Sequence, residues 1–142
     1  MEGRSAQFYV SVQYAWLVEA CVAVGDTTTA RRYARHVLRR TREDERLGEA
    51  AACRALARMA AARRAFGLGR RWLRRAEASA KLRGSEREAA LNHAALAELL
   101  HVQGDSETAR RTMAEAAARL RALNMPRHAE QAIRGLESSC TA

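Results

Sequence analysis

The feature that most constrains this chain is repetition within its own sequence. The segments Ala30-Arg31-Arg32-Tyr33-Ala34, Gly69-Arg70-Arg71-Trp72-Leu73 and Ala109-Arg110-Arg111-Thr112-Met113 share a small residue, two arginines, a variable position and an apolar one, at spacings of 39 and 40 residues. The register extends in both directions. Leu17, Leu56 and Leu96 stand thirteen residues before the first small residue of each segment, Val18, Ala57 and Ala97 twelve before, and Val37, Ala76 and Ala116 seven after. A unit of this length repeated three times predicts stacked copies of one supersecondary element, because a single copy cannot bury its apolar face alone.

Each unit reads as two helices around a turn. His93, Leu96, Ala97 and Leu100 recur at i, i+3, i+4 and i+7, and Ala109, Met113, Ala116 and Leu120 do the same after Gly104-Asp105-Ser106; this is the spacing of one helical face. Gly25-Asp26-Thr27 is the matching turn in the first unit, with glycine suited to a left-handed helix end and aspartate to capping the next helix. The second unit has Arg64-Ala65-Phe66-Gly67 instead, which predicts a looser or shifted turn. Ser85-Glu86-Arg87-Glu88 has the Ser-x-x-Glu form of a capping box. The expected fold class is all-α: a right-handed α-α superhelix of three antiparallel helix pairs plus a C-terminal capping helix, in a single domain over residues 1–142. The repeats fall at about 6–42, 45–84 and 86–124, with helices at 6–24, 27–41, 45–63, 68–82, 86–103 and 106–124, and the cap follows Pro126 at about 126–137. Composition agrees, since 32 of the 142 residues are alanine and only one is proline, favouring helices that approach closely.

A helix pair with a leucine and a small residue in its first helix, a Gly-Asp turn, and two small residues framing an aromatic or apolar slot in its second resembles the tetratricopeptide repeat. The resemblance rests on Tyr14, Leu17, Cys21, Gly25, Asp26, Ala30, Ala34 and Val37, and on Leu96, Ala97, Leu100, Gly104, Asp105, Ala109, Met113 and Ala116. The period is longer than the family's usual length of about 34 residues, and in that respect it is similar to the repeat arrays of bacterial transcriptional activators of the maltose-regulator type. The resemblance implies a protein-protein interaction scaffold in bacterial regulation or signalling.

Nothing in the sequence forms a catalytic constellation, and the expectation is a protein that is not an enzyme and uses no cofactor or metal. His93 takes the slot of Tyr14 and Cys53 in the other units, which predicts a packing role at the core edge, and His101 reads as a surface polar residue on the inner face; His36 and His128 likewise call for no catalytic role. Cys21 and Cys53 fall on interior slots, and no cysteine lies at zinc-ligand spacing. Gly67-Leu68-Gly69 lacks the strand and lysine of a phosphate loop. The apolar stretch from Val10 to Val24 is interrupted by Gln13 and Glu19, too short and polar for a membrane span; a reduced, cytoplasmic protein is expected.

Two surfaces remain as candidates. The first is a groove lined by the first helix of each pair, where Val12, Ala15, Ala61 and Ala94 are expected to face outward with Glu19, Arg54, Arg58, Glu98 and His101. Arg54 and Arg58 stand one turn apart and could fork onto a carboxylate of an acidic partner segment. Glu19 and Glu98 occupy the same slot as Arg58 in the flanking units, so a Glu-Arg-Glu ladder is the competing reading. The second surface is a stripe of Arg31, Arg32, Arg35, Arg39, Arg70, Arg71, Arg74, Arg75, Arg110 and Arg111 on the second helices. It could hold a nucleic-acid backbone, although no aromatic residues interleave to stack bases. With 24 arginines against one lysine, the net charge of +9 reflects compositional bias as much as function. The first helix, opening with Phe8, Tyr9, Val10 and Val12, offers an apolar face for homodimerisation.

Overall fold

The computed structural model describes residues 10–43 and 45–140; Phe8, Tyr9 and the expected start of the first helix lie outside them. Among the described residues there are seven α-helices and one 3-10 turn: α1 Val10–Ala23, α2 Thr27–Arg40, the 3-10 turn Thr41–Glu43, α3 Glu49–Ala62, α4 Phe66–Leu82, α5 Glu86–Gln103, α6 Ser106–Ala122 and α7 Pro126–Cys140. The chain is all-helical. Successive helices pair as α1 with α2, α3 with α4 and α5 with α6, and α7 lies on α6. The first helices also pack side by side, α1 on α3 and α3 on α5, whereas the second helices do not pack extensively on one another.

The repeat slots explain this packing. Ala30, Gly69 and Ala109, Val18, Ala57 and Ala97, and Val37, Ala76 and Ala116 are all buried. Small side chains at these crossings let helix axes approach, and dispersion contacts then accumulate across the interface. The leucine slot behaves differently. Leu56 joins a core cluster with Ala30 and Ala34 of α2, and Leu96 packs against a cluster holding Leu73 of α4. Leu17 is 43% exposed, because the slot is filled from the preceding helix pair and no described helix precedes α1.

The turns are more uniform than their sequences. Gly25 and Gly104 adopt positive φ, and so does Arg64, at 58°. Gly25 and Asp26 donate to Val22 and Cys21, Arg64 and Ala65 to Ala61 and Ala60, and Gly104 and Asp105 to His101 and Leu100. The second turn is therefore neither looser nor shifted, and α4 begins at Phe66: the helix-end hydrogen bonds hold a non-glycine residue in the left-handed region. The Arg64 guanidinium lies 5.4 Å above the Phe66 ring, a favourable cation–π placement.

Asp26, Ser85 and Asp105 cap their helices, accepting from the backbone N–H groups of Thr29, Glu88 and Thr108 at 3.0, 3.3 and 3.2 Å. Hydrogen bonds from the Thr29 side chain and backbone hold the Asp26 carboxyl below its ordinary range. The capping box is only half built. The Ser85 N–H already donates to Ala80, and the Glu88 carboxylate reaches across to Arg54 instead.

The largest departure lies between α2 and α3, where α3 starts at Glu49 and not near residue 45. Glu45 accepts from the Ser11 N–H at 3.1 Å and pairs with Arg40 at 3.4 Å, while the Gly48 N–H donates to Ser11 Oγ at 3.2 Å. These bonds tie the connection to α1 and keep it out of the helix. Glu49, 2% exposed, then takes Arg75 at 2.8 Å and Arg46 at 3.3 Å, an ion-pair cluster at the favourable N-terminal end of α3.

Candidate functional site

The helices that lead each pair bring most of the expected groove residues together. A concave groove of about 590 Å³ is lined by Val12, Ala15, Trp16 and Glu19 of α1, Ala51, Arg54 and Arg58 of α3, Arg87, Glu88, Leu91, Ala94 and Glu98 of α5, and His128, Gln131 and Ala132 of α7, together with Leu47, Gly48 and Arg83 from the connections. The contribution of α7 was not legible from spacing alone. The apolar lining is more recessed than expected: Ala15, Ala61 and Ala94 are buried, because α1, α3 and α5 pack closely enough to cover one another's small residues.

The two arginines of α3 have separate partners. Arg58 grips Glu98 with a fork, Nε to Oε2 at 2.7 Å and Nη2 to Oε1 at 3.2 Å. Burial works against its charge, but the bond to Glu98 and the fields of Glu98 and Glu19 outweigh burial and raise the Arg58 pKa above its ordinary value. Glu19 thus acts on Arg58 through space, and Glu98 through direct bonds. Arg54 is 5% exposed and donates to Glu88 Oε2 at 2.6 Å and Asn92 Oδ1 at 2.8 Å. Instead of presenting a joint fork to a ligand, Arg54 pins α3 to α5 from within the groove lining. The cause is register: α5 places Glu88 and Asn92, one turn apart, opposite Arg54, and Glu98 opposite Arg58.

His101 lies beyond the Arg58–Glu98 bridge. It lines a second recess of about 310 Å³ with Arg58, Glu98, Leu99 and Val102 and with Gly135 and Leu136 of α7. The bridge therefore stands between two hollows and borders both.

The arginines of the basic stripe are mostly exposed, and several have partners within the chain. Arg32 lies 5.5 Å above the Tyr33 ring, Arg70 donates to Gln103 at 2.7 Å, Arg75 holds Glu49, and Arg110 donates to the Ser106 carbonyl. Arg39, Arg71, Arg74 and Arg111 are exposed, and Arg31 and Arg35 border an apolar cleft between α2 and α4. Elsewhere, His36 stacks on Tyr14 at 5.0 Å, and His93 meets Glu115 at 3.1 Å on a half-exposed edge. Burial pushes the Cys53 thiol up to about 12, which leaves it a small apolar side chain and not a nucleophile. Among the described residues no three His, Cys, Asp or Glu side chains converge as a metal site, and no helix is long and apolar enough to cross a membrane. Comparison with protein-family models, curated proteins and solved structures gives no match.

Proposed function

We propose that the chain is a non-catalytic protein-interaction module, a tetratricopeptide-like superhelical scaffold that takes a segment of a partner protein in its concave groove. The observation that supports this reading is the groove itself: one helix from each pair, together with α7, contributes to a hollow of about 590 Å³. Its apolar patches at Val12, Trp16, Leu91 and Ala132 alternate with charges at Glu19, Arg58, Arg87 and Glu98. Apolar anchors flanked by charge suit an amphipathic helix or extended peptide. The exposed Arg87 favours an acidic residue in the partner, whereas Arg58 contributes only if Glu98 yields.

Screening a random peptide library against the intact protein tests this. Peptides that bind the wild type and lose at least about ten-fold in affinity (about 1.4 kcal/mol) in both Arg58→Ala and Arg87→Glu support the groove. Recovery of no peptide, or of peptides indifferent to both changes, removes it. Neither change should unfold the protein, since the Arg58–Glu98 pair is partly exposed and such pairs contribute only about 0–1 kcal/mol. Arg54 is unsuitable for this purpose, because removing one partner of a buried pair costs about 3–5 kcal/mol.

The alternative, a nucleic-acid-binding helical repeat using the outer arginines, predicts duplex binding that weakens steeply with salt; a gel shift at low ionic strength separates the two readings. A further contact proposed for this module is self-association through α1, whose Trp16, Leu17 and Ala20 are exposed, as is Val24 in the turn that follows it.

A further inference from the structure

The cleft between α2 and α4 does not belong to the groove and differs from it in chemistry. Its volume is about 370 Å³, and its walls are Leu38, Leu56, Met59, Leu68 and Trp72 with small residues at the floor. Among the described residues its charged lining groups are Arg31, Arg35 and Arg63. Arg63 is partly engaged, donating to Thr27 Oγ1 at 3.2 Å, whereas Arg31 and Arg35 are exposed and make no ion pair among the described residues. They stand at i and i+4 on α2, a spacing that places both on one face.

The repeat supplies an internal comparison. Arg31, Arg35 and Leu38 correspond in register to Arg70, Arg74 and Glu77. The hollow bordered by Arg70 and Arg74 has Glu77 in its lining, together with Asn92 and His93. In the second unit, then, the arginine pair shares its hollow with a carboxylate of the protein, whereas in the first unit that position is a leucine. Two guanidiniums at the mouth of an apolar cavity, with no acid among the described residues of its walls, are complementary to a ligand that brings its own negative charge and an apolar tail.

Size selects among such ligands. The volume lies within the range of about 300–1,000 Å³ typical of small-molecule pockets. We propose that the α2–α4 cleft binds a small anionic amphiphile, its carboxylate held by Arg31 and Arg35 and its alkyl or aryl tail lying against Leu56, Met59, Leu68 and Trp72.

Trp72 is one of only two tryptophans, so the intact Trp16→Phe protein reports on the cleft by fluorescence. Decanoate is the probe, with decanol as its uncharged counterpart, both kept below their self-aggregation limits. The expected result is a saturable change in Trp72 emission with decanoate, at least ten-fold weaker with decanol. Arg31→Ala combined with Arg35→Ala should reduce decanoate to the level of decanol, the double lysine variant should retain most of the preference, and Arg70→Ala with Arg74→Ala should leave it unchanged. Thermal unfolding of each variant confirms that the comparison is between folded proteins. The proposal is overturned by the absence of a saturable signal, by equal affinity for decanoate and decanol, or by a decanoate preference that survives loss of Arg31 and Arg35. An acidic helical peptide that saturates the same signal while decanoate does not would also overturn it.

Discussion

Glycine shows how one substitution can carry opposite signs at two sites. Gly104 ends α5 at φ 102°, and a Cβ added there would meet nothing within 4 Å. The cost of Gly104→Ala is therefore conformational, about 1 kcal/mol for placing an L-residue in the left-handed region. Gly135 lies inside α7, also with open space around it, where alanine should gain about 0.5–1 kcal/mol from helix propensity and reduced freedom of the unfolded chain. Urea titrations should move the two midpoints in opposite directions at unchanged slope. A fall in both would mean that steric contact, and not backbone preference, governs these positions. Arg64 occupies the same kind of turn position without glycine, which shows that the turn geometry is imposed by the helix ends it joins.

At the scale of elements, the helix pairs were legible because their determinants are local. Slots such as Ala30 and Ala76, and caps such as Asp26 and Asp105, act within a few residues or at a fixed crossing. The site was only partly legible. Arg58 and Glu98 share a repeat slot, so their pairing follows from side-by-side packing of α3 and α5. Glu88 reads locally as half of a capping box, and nothing near it in sequence signals that Arg54 claims it from 34 residues away. The α2–α4 cleft was not foreseen because its walls come from three helices, Leu38 of α2, Leu56 and Met59 of α3, and Leu68 and Trp72 of α4, which only tertiary packing brings together. The start of α3 is likewise set at a distance, by Ser11. A Cβ on Gly48 would fall 2.7 Å from the Ser11 carbonyl carbon and 3.2 Å from the Ala15 Cβ. The φ of Gly48 is an ordinary −89°, so its role is close approach and not backbone freedom. Gly48→Ala should thus destabilise by about 1–3 kcal/mol, the usual range for overpacking. Loss of amide-exchange protection first at the start of α1 and in α3, ahead of α5 to α7, would locate that cost at the α1–α3 junction; a uniform loss would contradict it.

Across the whole molecule, the core consists of several small clusters strung along the array, and the two ends of that array differ. At one end α7 covers the last pair, with Ala129 buried and Ile133 and Leu136 packed on α5 and α6 residues. At the other, Trp16 is 63% and Val24 80% exposed. Self-association through that face should appear in sedimentation equilibrium as a concentration-dependent rise in mass, abolished by Leu17→Glu. A monomer at all concentrations up to about 100 μM would show that the face does not self-associate. That level corresponds to a contact weaker than about 5.5 kcal/mol.

The exposed Leu17 has a consequence beyond dimerisation. Leu56 and Leu96 each meet the second helix of the pair before them, so the stacking rule has a direction: every unit supplies a plug to its predecessor and a socket to its successor. Pro126 and α7 finish the socket side, while Leu17 is a plug left facing solvent among the described residues. A helical hairpin fused ahead of α1 in the 39-residue register would find its seat already cut, whereas the same hairpin grafted after α7 would find none.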